Sequence, residues 1–169
     1  FKNATSSCEV KGNSEFQNYI DINDSSNKNQ IEQAVKETKD LIITGTGNDV
    51  SIEDVDSGKA PWYAKRNEIE SITMTGINRI GNNAFNGCSN ITEITIPGSV
   101  KTIGTSSFEG CTKLGKITSW GEVDTIESNA FKSTGFTTIE IPSQITMIKT
   151  GAFEITGLKE VHYEGKENK

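Results

Sequence analysis

The chain has 169 residues, with 17 Lys and Arg against 23 Asp and Glu for a formal net charge of −6. That balance argues against a nucleic-acid binder, which shows a basic surface. One histidine and three cysteines leave little material for metal sites or imidazole-dependent catalysis.

Hydrophobic residues make up 33% of the chain and aromatics 7%, a lean supply for one deep core, while 16 glycines against three prolines point to a turn-rich β-protein. No run approaches the roughly 18 apolar residues of a membrane helix. The chain begins at Phe1 without a charged-then-apolar leader, as expected of a trimmed mature chain.

Residues 1–68 are expected to form a leader and N-terminal cap. Phe16 to Ile22 alternates weakly between apolar and polar, as a strand would. Asn29 followed by Glu32 suits a capping box, and Ile31, Ala34, Val35 and Thr38 share one helical face, so a short helix is expected over about 30–39. A strand follows at about 41–44. Gly45-Thr46-Gly47 is no dinucleotide loop, because Val50 stands where a third glycine is needed. Gly58-Lys59 fails as a phosphate loop, with Glu53 and Ala60 at the required Gly and Ser/Thr positions. Asp49, Glu53, Asp54 and Asp56 offer carboxylates for a weakly held Ca²⁺, but without the distal Glu of a calcium loop they read better as a solvated loop.

From residue 69 a repeat takes over. Ile80-Gly81-Asn82-Asn83-Ala84-Phe85 returns at Ile103–Phe108, Ile126–Phe131 and Ile148–Phe153, with phenylalanines 23, 23 and 22 residues apart. Ahead of each block stands apolar-x-x-Ile-x-apolar: Ile69 to Met74, Ile91 to Ile96, Leu114 to Ser119, Phe136 to Ile141 and Leu158 to Tyr163. Alternation of this kind is the period of a half-buried strand. Pro97 and Pro142 directly follow two of the strands and turn the chain out of the ladder. Val100 to Ile103 and Val123 to Ile126 are expected to form a second extended side, and the Ala-Phe stretch to close the coil with Phe at its centre. One coil of 22–23 residues cannot bury its apolar side chains alone, whereas stacked coils share a core. At about 4.8 Å per coil the five strand copies span roughly 19 Å.

These residues resemble the BspA-like leucine-rich repeats, whose unit reads L-x-x-I-x-I-P-x-x-V-x-x-I-G-x-x-A-F-x-x-C. Ile91 through Pro97, Val100 through Gly104 and Phe108 through Cys111 match it nearly position for position. Leu41 to Gly47 with Pro61-Trp62-Tyr63 resembles the stretch that precedes such repeats, so the likeness covers about residues 41–165. Departures are Ser119 and Trp120 in place of Ile-Pro, and loss of the Gly-Cys pair in the last two full coils. The fold expected is therefore a short right-handed leucine-rich-repeat solenoid. It has a parallel sheet on one face, an N-terminal capping region containing a short helix, five copies over 69–165 with the last incomplete, and a frayed tail at 166–169.

Cys88 and Cys111 occupy the same coil position and stack either as a disulfide or as two buried thiols; the resemblance implies a core filler. Cys8 has no evident partner. His162 falls on an outward strand position in the last coil, with Glu140 one coil back as a salt partner. Sequons stand at Asn3, Asn23 and Asn90 and matter only in a secreted eukaryotic protein.

Outward strand positions form two files: Ser71, Glu93, Lys116, Thr138 and Glu160, then Thr73, Thr95, Thr118, Glu140 and His162. Repeat proteins chiefly offer surface, so this face is the candidate partner-binding site, with no catalytic, cofactor or metal site expected. The resemblance implies a surface or secreted, extracellular interaction module that adheres to host matrix or cell-surface proteins such as fibronectin and fibrinogen, or to glycans. A structural spacer in a longer surface protein is the alternative, and a carbohydrate-active protein a remote one.

Overall fold

A computed structural model describes residues 7–9, 19–21, 29, 35, 39–45, 51–155 and 157–165. Near the N-terminus, β1 (Ser7–Glu9) and β2 (Tyr19–Asp21) pair antiparallel with Cys8 opposite Ile20. Of the helix expected over 30–39, only Val35 and Lys39 are among the described residues; Val35 is fully buried and its carbonyl accepts the Lys39 N–H at 2.7 Å. The tail at 166–169 also lies outside them.

Two sets of parallel strands follow. The first runs through β3 (Asp40–Thr44), β5 (Ser71–Thr75), β7 (Glu93–Thr95), β9 (Lys116–Ser119), β11 (Thr138–Ile141) and β13 (Glu160–Tyr163). The second runs through β4 (Ser51–Ile52), β6 (Arg79–Ile80), β8 (Thr102–Ile103), β10 (Thr125–Ile126) and β12 (Met147–Ile148). The short strands make the continuous sheet, in the order β12-β10-β8-β6-β4, whereas the longer ones ladder pairwise as β3–β5, β7–β9 and β11–β13. Parallel pairing thus occupies two faces rather than the one expected. It also starts before residue 69, since Asp40 to Thr44 pair with Ser71 to Thr75 and Ser51-Ile52 with Arg79-Ile80.

The strands form where the residues alternate. In β5 the burial follows the sequence, with Ile72 and Met74 in and Thr73 and Thr75 out, and β11 repeats this with Ile139 and Ile141. Burial of these apolar side chains, about 1.5–3 kcal/mol each, holds the register, because a slip by one residue would expose all of them.

Inside the coils stands a column of rings. Trp62, Phe85, Phe108, Phe131 and Phe153 stack in turn with centroids 5.5, 5.2, 5.4 and 5.4 Å apart. The arc carrying each Phe is itself bonded to the next coil, the Phe85, Phe108 and Phe131 N–H groups donating to the Ser107, Ala130 and Ala152 carbonyls. That contact leaves room only for a small side chain, which is why Ala84, Ser107, Ala130 and Ala152 precede the rings. Each arc also passes through the left-handed region, at Asn83, Ser106, Asn129 and Gly151 (φ 56°, 53°, 57° and 71°), a conformation that Asn and Gly enter most readily. In the last strands, each paired on one side only among the described residues, Met147, Ile148, Val161 and Tyr163 remain 44–57% exposed.

Candidate partner-binding face

The outward residues of β5, β7, β9, β11 and β13 point away from the ring column because successive strand side chains alternate. In the observed register Glu93 opposes Lys116, Thr138 opposes Glu160 and Glu140 opposes His162. Lys116 Nζ lies 3.1 Å from Glu93 Oε2, and both side chains are well exposed, so the pair contributes under about 1 kcal/mol. Thr95 and Thr118 join their hydroxyls at 2.5 Å. Ser71 Oγ donates to Asp40 Oδ1 at 2.5 Å, one coil before the first repeat copy read from the sequence, and Thr73 is exposed beside it.

The expected partnership of His162 with Glu140 does not form. Although the two residues are in register, the imidazole Nε2 lies 3.4 Å from Glu160 Oε2, two residues back on its own strand. The Glu140 carbonyl oxygen instead accepts the Trp120 Nε1–H at 3.0 Å.

That bond belongs to a local change of path in β9. The β7–β9 ladder shifts register between Ile94 and Thr95, so that Thr95 opposes Ser119 and Thr118 is the extra residue of a bulge. Thr118 Oγ1 donates to the Ile94 carbonyl at 3.2 Å. Thr118 and Ser119 both end up exposed, so the polar Ser119 does not enter the core that its place in the repeat suggests. Trp120 fills the gap, its ring standing nearly perpendicular to Phe131 at 5.9 Å and 79°. Gly121 follows because a Cβ there would meet the Pro97 carbonyl oxygen at 2.2 Å.

Among the described residues no ladder joins β9 to β11, and a groove of about 540 Å³ opens there on the strand face. Lys116, Thr118, Thr138, Glu140, Glu160 and His162 line it, and so do Trp120, Phe136, Pro142 and Glu164, which the outward files do not include. Ser71, Thr73, Glu93 and Thr95 share the face but stand outside the groove. The signal for the additional residues was the departure at Ser119-Trp120, where a bulky ring replaces the usual proline.

Elsewhere the residues singled out in the sequence serve the stack. Asp54 accepts from Asn82 N–H at 2.8 Å and from Arg79 Nη2 at 2.5 Å; desolvation pushes its carboxyl up, but these bonds and the guanidinium charge outweigh it and hold the pKa below the ordinary value. Of the other carboxylates weighed for Ca²⁺, Asp49 lies outside the described residues. Cys88 and Cys111 are free, buried thiols. Burial pushes Cys88 up to about 12 and Cys111 well above its ordinary value. Asn90, the one sequon asparagine among the described residues, donates to the Asn67 carbonyl at 2.5 Å and accepts from Lys113 Nζ at 2.8 Å.

Residues 61–169 match the BspA type leucine rich repeat region, in six copies. Among solved structures the chain is similar to a leucine-rich repeat protein from Eubacterium ventriosum ATCC 27560, at 24% identity and a TM-score of 0.57 over 72% of this chain. It is also similar to a leucine rich cell surface protein from Faecalibacterium prausnitzii A2-165, at 21% identity and a TM-score of 0.53 over 75% of this chain. At such identities the likeness is one of fold. The chain spans 39% and 43% of the lengths of these two proteins. No curated protein matches it.

Proposed function

The chain belongs to the BspA-type leucine-rich repeat family, and from that premise we propose that it is a non-enzymatic interaction module which binds a partner protein through its strand face. The observation that carries this reading is the groove of about 540 Å³ opened on that face by the bulge in β9. Its volume falls in the range of sites that hold ligands, and its lining includes the Trp120 indole, a side chain enriched where interfaces concentrate their binding energy. Display at a cell surface or secretion, with adhesion to host matrix proteins, is the setting we infer. The relative from Faecalibacterium prausnitzii, named a cell surface protein, supports the display at a cell surface.

The test is binding of the chain to immobilised fibronectin, fibrinogen and a glycan array, beside a Thr138→Arg/Glu140→Arg variant, altered at two exposed groove positions, whose circular dichroism is unchanged. Saturable binding to a protein, lost in the variant, is the expected result. Binding that the variant retains in full would refute the strand face as the site. A folded chain that binds nothing on the panel would favour the spacer.

A further inference from the structure

We propose that the groove between β9 and β11 takes an extended partner segment bearing arginine or lysine; this rests on the strand-face reading above and specifies its partner. Three carboxylates, Glu140, Glu160 and Glu164, border the groove against one ammonium, Lys116. That ammonium is drawn to Glu93, outside the groove, at 3.1 Å, and the His162 imidazole lies at 3.4 Å from Glu160. In a concave site the field of fixed carboxylates is focused rather than dispersed into solvent, so a cation is attracted and a polyanion repelled.

The indole decides what kind of cation fits. Trp120 has its N–H committed to the Glu140 carbonyl and its ring held nearly perpendicular to Phe131, so the indole is fixed at the groove and brings it a π-surface instead of a donor. A cation over such a surface gains attraction from the ring quadrupole, and a guanidinium can stack on the ring while its fork reaches a neighbouring carboxylate. The occupant is a chain segment and not a small amine, because the groove runs along strands on an open face. Its floor continues over Ile117 and Phe136, and the Thr138 hydroxyl beside it can bond an extended backbone.

The experiment uses the whole chain and an eight-residue peptide alternating arginine and serine, with the same peptide carrying glutamate in place of arginine as control. Titration is followed by calorimetry and by tryptophan fluorescence. Saturable binding of the arginine peptide, none of the glutamate peptide, and a loss of about tenfold or more in a Glu140→Gln/Glu160→Gln variant is the expected result. Both glutamates are exposed, and a melting curve verifies that the variant is folded. Equal binding of the arginine peptide to chain and variant would overturn the proposal, since attraction to the net charge of −6 would then suffice. No peptide binding by a chain that does bind an immobilised protein through its strand face would overturn it too, while leaving the interaction module standing. Peptide and protein binding both absent would remove both readings.

Discussion

Phe108 and Phe131 lie face to face across neighbouring coils, their rings 5.4 Å apart and inclined by 2°. Both are fully buried, and each ring is the floor on which the next coil packs. Phe108 also stacks on Phe85 at 5.2 Å, so it has a ring on either side. Phe108→Ala should therefore cost about 3–5 kcal/mol, read as a fall in the midpoint of denaturant unfolding. A loss below about 1 kcal/mol would mean that the column does not carry the stack.

The ring column was legible because Phe recurs every 22–23 residues after Ala or Ser, an interval that brings one ring into each coil. Trp62 was read as part of the leader, since it is a different residue in a stretch of different composition, yet it begins the column at 5.5 Å from Phe85. The outward positions of the strands followed from alternation alone. The path of β9 did not, because Ser119-Trp120 reads as two substitutions in a repeat, whereas it records a bulge that only the pairing with Thr95 reveals. The groove depends on which strands fail to pair, a relation between coils that no single coil encodes.

Ser107 stands where the other coils have Ala84, Ala130 and Ala152, and its buried hydroxyl oxygen has no hydrogen-bond partner among the described residues. The backbone contact of its carbonyl with the Phe85 N–H at 2.7 Å does not involve the side chain. An unsatisfied buried hydroxyl costs about 1–3 kcal/mol, so Ser107→Ala should stabilise the chain by about 1 kcal/mol. Denaturant unfolding checks it, and a destabilised variant would show that the hydroxyl is bonded.

Asp54 ties the coil carrying β4 to the arc after β6 through the Asn82 N–H and Arg79. Its folded pKa lies below the ordinary 3.8, so its contribution is present above that value and is lost as pH falls through the folded pKa. The side chain is half exposed, which keeps the effect small. Asp54→Ala should cost about 1 kcal/mol at neutral pH, with wild type and variant converging in acid below 3.8. Parallel melting curves from pH 7 to pH 2.5 test this, and a constant difference across that range would contradict it.

Cys88 and Cys111 follow Phe85 and Phe108 at the same interval, and both thiols are fully buried. Cys111 Sγ donates to the Phe85 carbonyl at 3.3 Å; one coil on, Thr134 replaces the thiol with a hydroxyl bonded to the Phe131 carbonyl at 2.7 Å. The position thus serves as a small plug that closes each arc, and a thiol suits it because it tolerates burial. In a Cys8→Ser background, neither thiol should react with a disulfide reagent at pH 8 until the chain opens, so labelling should track unfolding. Because burial raises the Cys88 pKa from 9.0 to about 12, the folded state keeps its proton where the unfolded chain gives it up. The stability this confers is complete below pH 9.0 and declines as pH rises toward about 12. A Cys88→Ala/Cys111→Ala variant should lack that part of the alkaline decline. Rapid labelling of the native chain, or an alkaline decline identical in the variant, would show that these thiols are not held in the core.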